Sequence, residues 1–443
     1  MSLDDLKARV CAAIDARRDT IVGIAKEIAT HPETGYREFK TANVVANAFR
    51  EFGLDPREGL AVTGVRADLP FNQDGPTVAI LGELDALVVA DNPAADPETG
   101  AVHACGHNAQ IGSMLGAGLG LLESGVLAEL AGRVVLFAVP AEEYVEIEYR
   151  IDLMKQGKIE FLGGKAELVK LGEFDDVDMA MMVHVTANAS DKRVALKSTN
   201  NGLVAKFIRF LGKAAHAGGA PDRGINALNA ASLALSAIHY QRETFRDQDH
   251  IRVHPILTRG GETVNIVPRL ATMETFVRGA TIEPILEANR KVDRALRGAA
   301  LAVGAGVEIT TLPGYLPLAP NEAMVKLYGG NAEKLVDPSD INPDLGHRSG
   351  STDMGDLSQI MPCIHPYSGG AQGNGHGSDY EIVDYDTATV VPAKAMAMTV
   401  IDLLANGAST GKKIVAETTP NMTKQQYLDL LRSLGSERTY REE

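Results

Sequence analysis

The sequence predicts an α/β protein in which a mixed-sheet domain is split by an inserted ferredoxin-like (βαββαβ) domain. Three observations carry that prediction. The chain has 443 residues, too many for one hydrophobic core. Short apolar runs at 77–81, 133–139 and 179–185 read as buried strands that carry or deliver polar residues. From residue 203 the pattern changes to β-α-β-β-α-β, and the earlier pattern returns after Pro313. The boundaries that follow are 1–195 and 313–443 for the split domain and 196–312 for the insert.

Taken in order, residues 3–30 place Leu6, Val10, Ala13, Ile14, Ile21, Ile24 and Ile28 at helical spacing, an amphipathic helix or pair of helices. Residues 40–52 repeat the pattern, and Gly53 supplies a stop. The strand at 77–81 delivers Gly82-Glu83-Leu84-Asp85-Ala86-Leu87 to its carboxyl end, where open α/β sheets keep their sites. A long apolar segment runs from His107 to Leu122 and reads as a helix. The strand at 133–139 delivers Pro140-Ala141-Glu142-Glu143, residues 164–171 are helical, and the strand at 179–185 carries His184.

Residues 194–197, 203–211, 251–258, 270–278 and 307–312 read as strands, with helices at 226–240 and 282–303. Helices at 322–335 and 392–405 complete the split domain. From Thr410 the sequence turns polar and ends in SERTYREE, so its last residues are expected to be loose.

The formal charge of −15 argues against a nucleic-acid partner, which would call for a basic face. Cys11, Cys105 and Cys363 are widely spaced and odd in number, so no disulfide framework is expected. The first residues are charged throughout, unlike a signal peptide, and no run of 18 apolar residues occurs. The expectation is a cytoplasmic protein with no membrane partner.

The chemistry gathers around His103-Ala104-Cys105-Gly106-His107-Asn108. Cys105 and His107 alternate at a strand-to-helix turn, so thiolate and imidazole can converge on one point, and Gly106 lets the backbone pass close. With carboxylate neighbours, that set suits zinc, cobalt or a similar borderline ion. Acidic residues at strand ends are often merely solvated, and a lone histidine is commonly structural. The joint placement of Glu83 and Asp85, Cys105 and His107, Glu142 and Glu143, and His184 at buried strands argues for a site, with His376 downstream in GGAQGNGHGSDY. Adjacent glutamates can divide the labour: Glu143 binds metal while Glu142 takes the proton of a water.

GELDAL, HACGHN, PAEE, FDDVDMAMMVH, GKAAHAG, INALNA, GGETVNIVP and STDMGDLS follow one another in a family order. Together they resemble the amidohydrolase branch of the co-catalytic zinc aminoacylase and carboxypeptidase metallopeptidases, most of all its aminobenzoyl-glutamate hydrolase type. The likeness covers roughly residues 30–405. It implies a zinc-peptidase-like catalytic domain in which Cys105, His107, Glu143, His184 and His376 hold two divalent ions, zinc or manganese with cobalt a further candidate. Cys105 would bridge them where relatives have an aspartate. Glu142 would be the general base, and Asp85 would orient a ligand. The insert would be a lid and dimerisation domain, making a homodimer in which His216 reaches the partner subunit's site to stabilise an oxyanion. Asn265 and Arg278 would bind a substrate carboxylate.

Two departures stand out. Asn108 stands where the amidohydrolases usually carry aspartate. PAEE runs on as Tyr144-Val145-Glu146-Ile147-Glu148-Tyr149-Arg150 before Gly163-Gly164-Lys165, where a Gly-rich stretch is expected. That segment is either a lengthened surface loop or a rebuilt wall of the site. The leading expectation is a two-metal hydrolase of a C–N (amide) bond in a small carboxylate-bearing substrate, an N-acyl or aryl-amide amino-acid conjugate. The alternative is hydrolytic deamination of an electron-poor aromatic amine, as in a 5-nitroanthranilate aminohydrolase. A non-catalytic conjugate-binding relative is a third, disfavoured because Glu142 and the ligand set are all retained.

Overall fold

Thr77–Glu83 is buried at every position, which requires cover on both faces, and the fold supplies it. Val78 and Ile80 point into one apolar cluster with Ile14, Ile21, Met114 and Val400, while Ala79 and Leu81 point into the other with Leu168, Leu357 and Tyr427. This alternation is the period of two that strand geometry imposes. The computed structural model describes residues 2–441.

The central sheet has six strands in the order Arg57–Leu60, Gly64–Asp68, Arg133–Val139, Thr77–Glu83, Met179–Met181 and Cys363–Ile364. Thr77–Glu83 pairs in parallel with both neighbours, whereas Gly64–Asp68 pairs antiparallel with Arg133–Val139. The sheet is therefore mixed, as expected. Helices Leu3–Ala16, Arg18–Ala29, His107–Glu123 and Val391–Glu417, the last broken by non-helical residues at 405–408, supply one cluster. Gly164–Leu171, Met354–Ile360 and Lys424–Leu434 supply the other.

The insert forms an antiparallel sheet in the order Arg252–Val253 (with Ile256–Arg259 beside it), Leu270–Gly279, Gly202–Leu211, Gly306–Pro313. Helices Ala227–Tyr240 and Ile282–Ala302 pack on one face of it. On the other face Leu203, Ala205, Phe207 and Leu312 meet Tyr144, Ile147 and Tyr315.

Three expectations need correction, and one open alternative is decided. The strand expected at 179–185 splits: Met179–Met181 stays in the central sheet, and His184–Val185 joins a separate four-stranded sheet beside Tyr367–Ser368. The strand expected at 251–258 breaks around Pro255, which has no N–H to give to a ladder. The segment 144–150 is not a surface loop: Tyr144, Ile147 and Arg150 are buried, and Ile147–Lys155 is helical.

The polar end is not loose as far as residue 440; of the residues expected to be loose, Glu442 and Glu443 lie outside the described residues. Lys424–Leu434 opens with a capping box at Thr423 and buries Tyr427, Leu428 and Leu431. Ser436–Tyr440 then pairs antiparallel with Gly306–Pro313 and seals that edge of the inserted sheet. Asp386–Glu417 is apolar and long enough to cross a membrane, but 83% of its apolar window is buried within the fold, as in a core helix.

Candidate metal centre and substrate cavity

Parallel pairing sets Glu83 opposite Val139, so the two strands deliver Glu83 and Asp85 beside Glu142 and Glu143. Gly106 caps the helix His107–Glu123 in a left-handed conformation with φ of 85°. A Cβ there would also come within 2.6 Å of the Tyr380 hydroxyl and 2.8 Å of Val185 Cβ, so only glycine brings Cys105 and His107 to this turn unstrained. Ala141, with φ of 56°, donates its N–H to Glu38 at 2.8 Å and so turns the glutamate pair inward.

The donor atoms of Cys105, His107 and His184 lie within 4.8 Å of one another, and so do those of Cys105, Glu143 and His376. Cys105 belongs to both groups. Its Sγ is 3.2 Å from His184 Nε2, and His376 Nε2 is 3.3 Å from Glu143 Oε1. His107 Nδ1 donates to the Asp85 carbonyl at 2.9 Å, and His184 Nδ1 donates to the Val185 carbonyl at 2.6 Å. Each hydrogen bond orients its ring so that Nε2 points into the group, the orientation that metal-binding imidazoles need. Asp85 braces the group from behind, accepting the Glu143 N–H at 2.8 Å.

The charges are interlocked. Burial alone would raise the Cys105 thiol, but neighbouring His184 and His107 outweigh it and bring the thiol down to about 6. Burial likewise opposes ionisation of Glu143, and His376 overrides it to hold the carboxyl at about 2, while Glu143 lifts His376 to about 11. Glu142 goes the other way. Burial, then Glu83 and Glu143, push its carboxyl well above the usual range.

Four buried atoms, Glu83 Oε2, Asp85 Oδ1, His107 Nε2 and Glu143 Oε1, make no well-formed hydrogen bond among the described residues, although each faces an ionisable partner at 3.1, 3.3 or 3.4 Å. Buried polar atoms seldom stay unpaired, and thiolate, imidazole and carboxylate converging together are what a divalent ion requires. The residues therefore fit the metal that the sequence implies.

In front of the ligands lies a cavity of about 370 Å³ lined by Cys105, Glu142, Glu143, His184, His376 and Arg278. Tyr144, Phe276 and Tyr315 form its aromatic wall, Tyr144 lying edge-to-face against each of the other two rings. A wider cavity of about 570 Å³ shares Tyr144, Val145, Phe276 and Arg278 with it. Arg278 is half-buried, and its side chain lies 5.2 Å from the Phe276 ring centre with no side-chain hydrogen bond or salt bridge among the described residues. Burial pulls its guanidinium down, against the pull of Glu143 and Glu142.

Asn265 is not beside Arg278. It lies on an exposed loop whose carbonyl accepts the Ala217 N–H, so it travels with His216, and neither residue lines the cavity of its own chain.

Sequence reasoning missed Lys165, Asp353 and Arg150. Lys165 donates to Glu83 Oε1 at 2.6 Å and to Asp353, with both lysine and aspartate at 0% side-chain exposure. Arg150 donates to the carbonyls of Leu162 at 2.7 Å, Ala141 at 3.3 Å and Glu143, and so shapes the wall behind Glu142. The only available signals were Lys165 after a Gly pair, Asp353 inside STDMGDLS, and Arg150 in a segment that departs from its relatives.

Residues 199–302 match the family model described as a peptidase dimerisation domain. The chain is 30% identical to the Xaa-Arg dipeptidase of Mus musculus over 422 residues, covering 91% of this chain and 90% of that protein. It is 26% identical to the N-acetyl-L-cysteine deacetylase of Bacillus subtilis, over 72% of this chain and 74% of that one. A solved structure from Bacillus subtilis, a dinuclear metal-binding peptidase from the M20 family, superposes with a TM-score of 0.62 at 20% identity, over 88% of this chain and 99% of that one. With a fold and a donor set of this kind, and a relative matched along nearly its whole length, the chain belongs to the M20 peptidases, metal-dependent hydrolases of amide bonds.

Proposed function

We propose that the enzyme cleaves the amide bond of an amino-acid conjugate with a free carboxylate, using two divalent ions, zinc or manganese, held by Cys105, His107, Glu143, His184 and His376. The observation that carries this reading is that Cys105 belongs to both ligand groups, as a bridging ligand must. When bound, such ions polarise a carbonyl and make water a nucleophile near neutral pH.

The chain's own groups supply the rest. Glu142 takes the proton of the attacking water and passes it to the departing nitrogen. Arg278 grips the substrate carboxylate in a two-pronged contact. His216 Nδ1 accepts the N–H groups of Gly218 at 3.2 Å and Gly219 at 3.0 Å, so its proton sits on the outward-facing Nε2. A second copy pairing along the open edge at Ile256–Arg259 would carry that donor, with Asn265, to the site, where it stabilises the oxyanion. Ile256, Leu257, Val264 and Ile266 are exposed near that edge, in keeping with such a contact.

A second reading is favoured by the aromatic wall. Tyr144, Phe276 and Tyr315 beside Arg278 suit a flat ring bearing a carboxylate, and the same water and base could expel ammonia from an electron-poor aromatic amine. One experiment separates the readings. Enzyme loaded with zinc, manganese or cobalt is offered N-acyl and aryl-amide amino acids, dipeptides ending in arginine, and nitro-substituted aminobenzoates. Release of a free amino acid supports the amide reading. Ammonia from the aromatic amines supports the second reading, and no turnover of any compound overturns both.

A further inference from the structure

Three cavities run into one another around the site. The middle one, of about 370 Å³, shares Arg278 and Phe276 with the wider cavity of about 570 Å³. It shares Arg348 and Tyr367 with a third cavity of about 540 Å³. The outer two have no lining residue in common, so the two arginines stand at different mouths of the middle one. Glu142 and Glu143 line the middle cavity alone, and a bond held against the base therefore lies between the arginines.

Arg348 has no part in the function proposed above, yet it is built to present its guanidinium. It closes the short strand His347–Arg348, which pairs in parallel with Thr199–Asn200. Its side chain donates to Asp191, which is 1% exposed and also accepts from Thr186 Oγ1 at 2.7 Å and Asn188 Nδ2 at 3.2 Å. The guanidinium lies 4.9 Å from the centre of the Tyr367 ring, and that ring lies 5.5 Å from the ring of His184. Asp191 takes one N–H, and the remaining N–H groups have no hydrogen bond among the described residues. A fork fixed from behind and open in front suits a carboxylate, and little side-chain freedom is left to lose on binding. Ser351, in the same cavity wall, adds a buried hydroxyl without a partner.

We propose that Arg348 binds a second carboxylate of the substrate, on the acyl side of the scissile amide, while Arg278 holds the carboxylate of the amino acid. The substrate is then an N-acyl amino acid whose acyl group is a dicarboxylic acid joined through one of its two ends. This rests on the amide reading above and narrows it.

The test compares paired substrates on the full-length, metal-loaded enzyme. Malonyl, succinyl and glutaryl amides of leucine and of arginine are set against the same compounds with a terminal carboxamide in place of the carboxylate, with N-acetyl amino acids alongside. At least one diacid should exceed its carboxamide in kcat/KM by about 10–100-fold, the range for a hydrogen bond to a charged group. Arg348→Met should bring that ratio to about one. Arg348→Lys keeps a cation beside Asp191 but loses the fork, so its ratio should fall between the two. A merely structural role would lower both rates together and leave the ratio as it was. If Arg348→Met fails to fold, the ratio in Arg348→Lys decides. Equal turnover of diacid and carboxamide by the wild type, or a ratio unchanged in the folded variants, would overturn the proposal and leave the amide reading standing. No hydrolysis of any acyl amino acid would overturn both.

Discussion

In the split domain, Glu83, Asp85, His107, Lys165 and Asp353 have side chains 0–1% exposed and answer one another across strands and helices. In the insert, His216 and Asn265 lie on exposed loops. The first group packs three carboxylates and an imidazole around the buried Lys165. The second presents a prepared N–H and an amide to empty space. On the function proposed above, metal would complete one constellation and a second copy of the chain the other, and the two make different demands on the chain. The metal site needs rigidity from burial, whereas the loop needs only a fixed tautomer and an open sheet edge beside it.

The sharpest way to break this contrast is Cys105→Ala. It should abolish activity and lower the metal content per chain, because both ligand groups lose a member. Unchanged stoichiometry by elemental analysis would remove the bridging role. Next in size, Glu142→Gln should keep its ions and its substrate while kcat falls roughly 10²–10⁴-fold, the usual range for a lost general base. Near-normal steady-state kinetics in that variant would place the base elsewhere.

Lys165→Met should cost about 3–5 kcal/mol in urea unfolding, since Glu83 and Asp353 are left buried and unpaired. Lys206→Met in the insert should cost less than that, because its partner Asp293 keeps 22% of its side chain in water. Equal losses would show that the two domains treat buried charge alike.

Mixing inactive His216→Ala with inactive Glu142→Gln subunits should restore up to about a quarter of wild-type activity, since one site in each mixed dimer is intact. Proven subunit exchange with no recovered activity would return His216 to an ordinary loop residue.

The smallest effect is in pH. Burial lowers the Lys206 ammonium despite Asp293, whereas Asp353 and Glu83 raise that of Lys165 against its burial. Between the lowered folded value of Lys206 and its ordinary unfolded value near 10.4, the unfolded chain binds more protons. Wild type should therefore gain stability relative to Lys206→Met as pH rises from about 8 to about 10. Lys165 acts with the opposite sign. Its contribution is complete below the ordinary lysine value and fades only as pH climbs toward the raised folded one, so it stays nearly constant over that interval. Urea midpoints of both variants at the two pH values measure the difference.

What the sequence made legible follows from which signals are local. Buried parallel strands such as Thr77–Glu83 and Arg133–Val139 are apolar runs, and the turn of HACGHN needs its glycine, so both could be read directly. The pairing of Lys165 with Asp353 spans 188 positions and has no local trace. Arg150 looks like a surface cation, but it is wholly buried because three backbone carbonyls take its protons. The break after Met181 is hidden because Met182 and Val183 are as apolar as the strand before them. Ser436–Tyr440 escaped because a polar edge strand, recognisable only through its partner, reads as a loose end.

That strand also bears on how the protein is made. Gly306–Pro313 leaves the ribosome long before Ser436–Tyr440, with the second half of the split domain synthesised between them. Throughout that interval the nascent insert holds a bare edge of unpaired N–H and C=O groups, open to a neighbouring chain on the same message. The hazard ends when the helix Lys424–Leu434 docks on the core and brings the closing strand alongside. Misassembly during synthesis should thus favour the edge that the finished protein conceals.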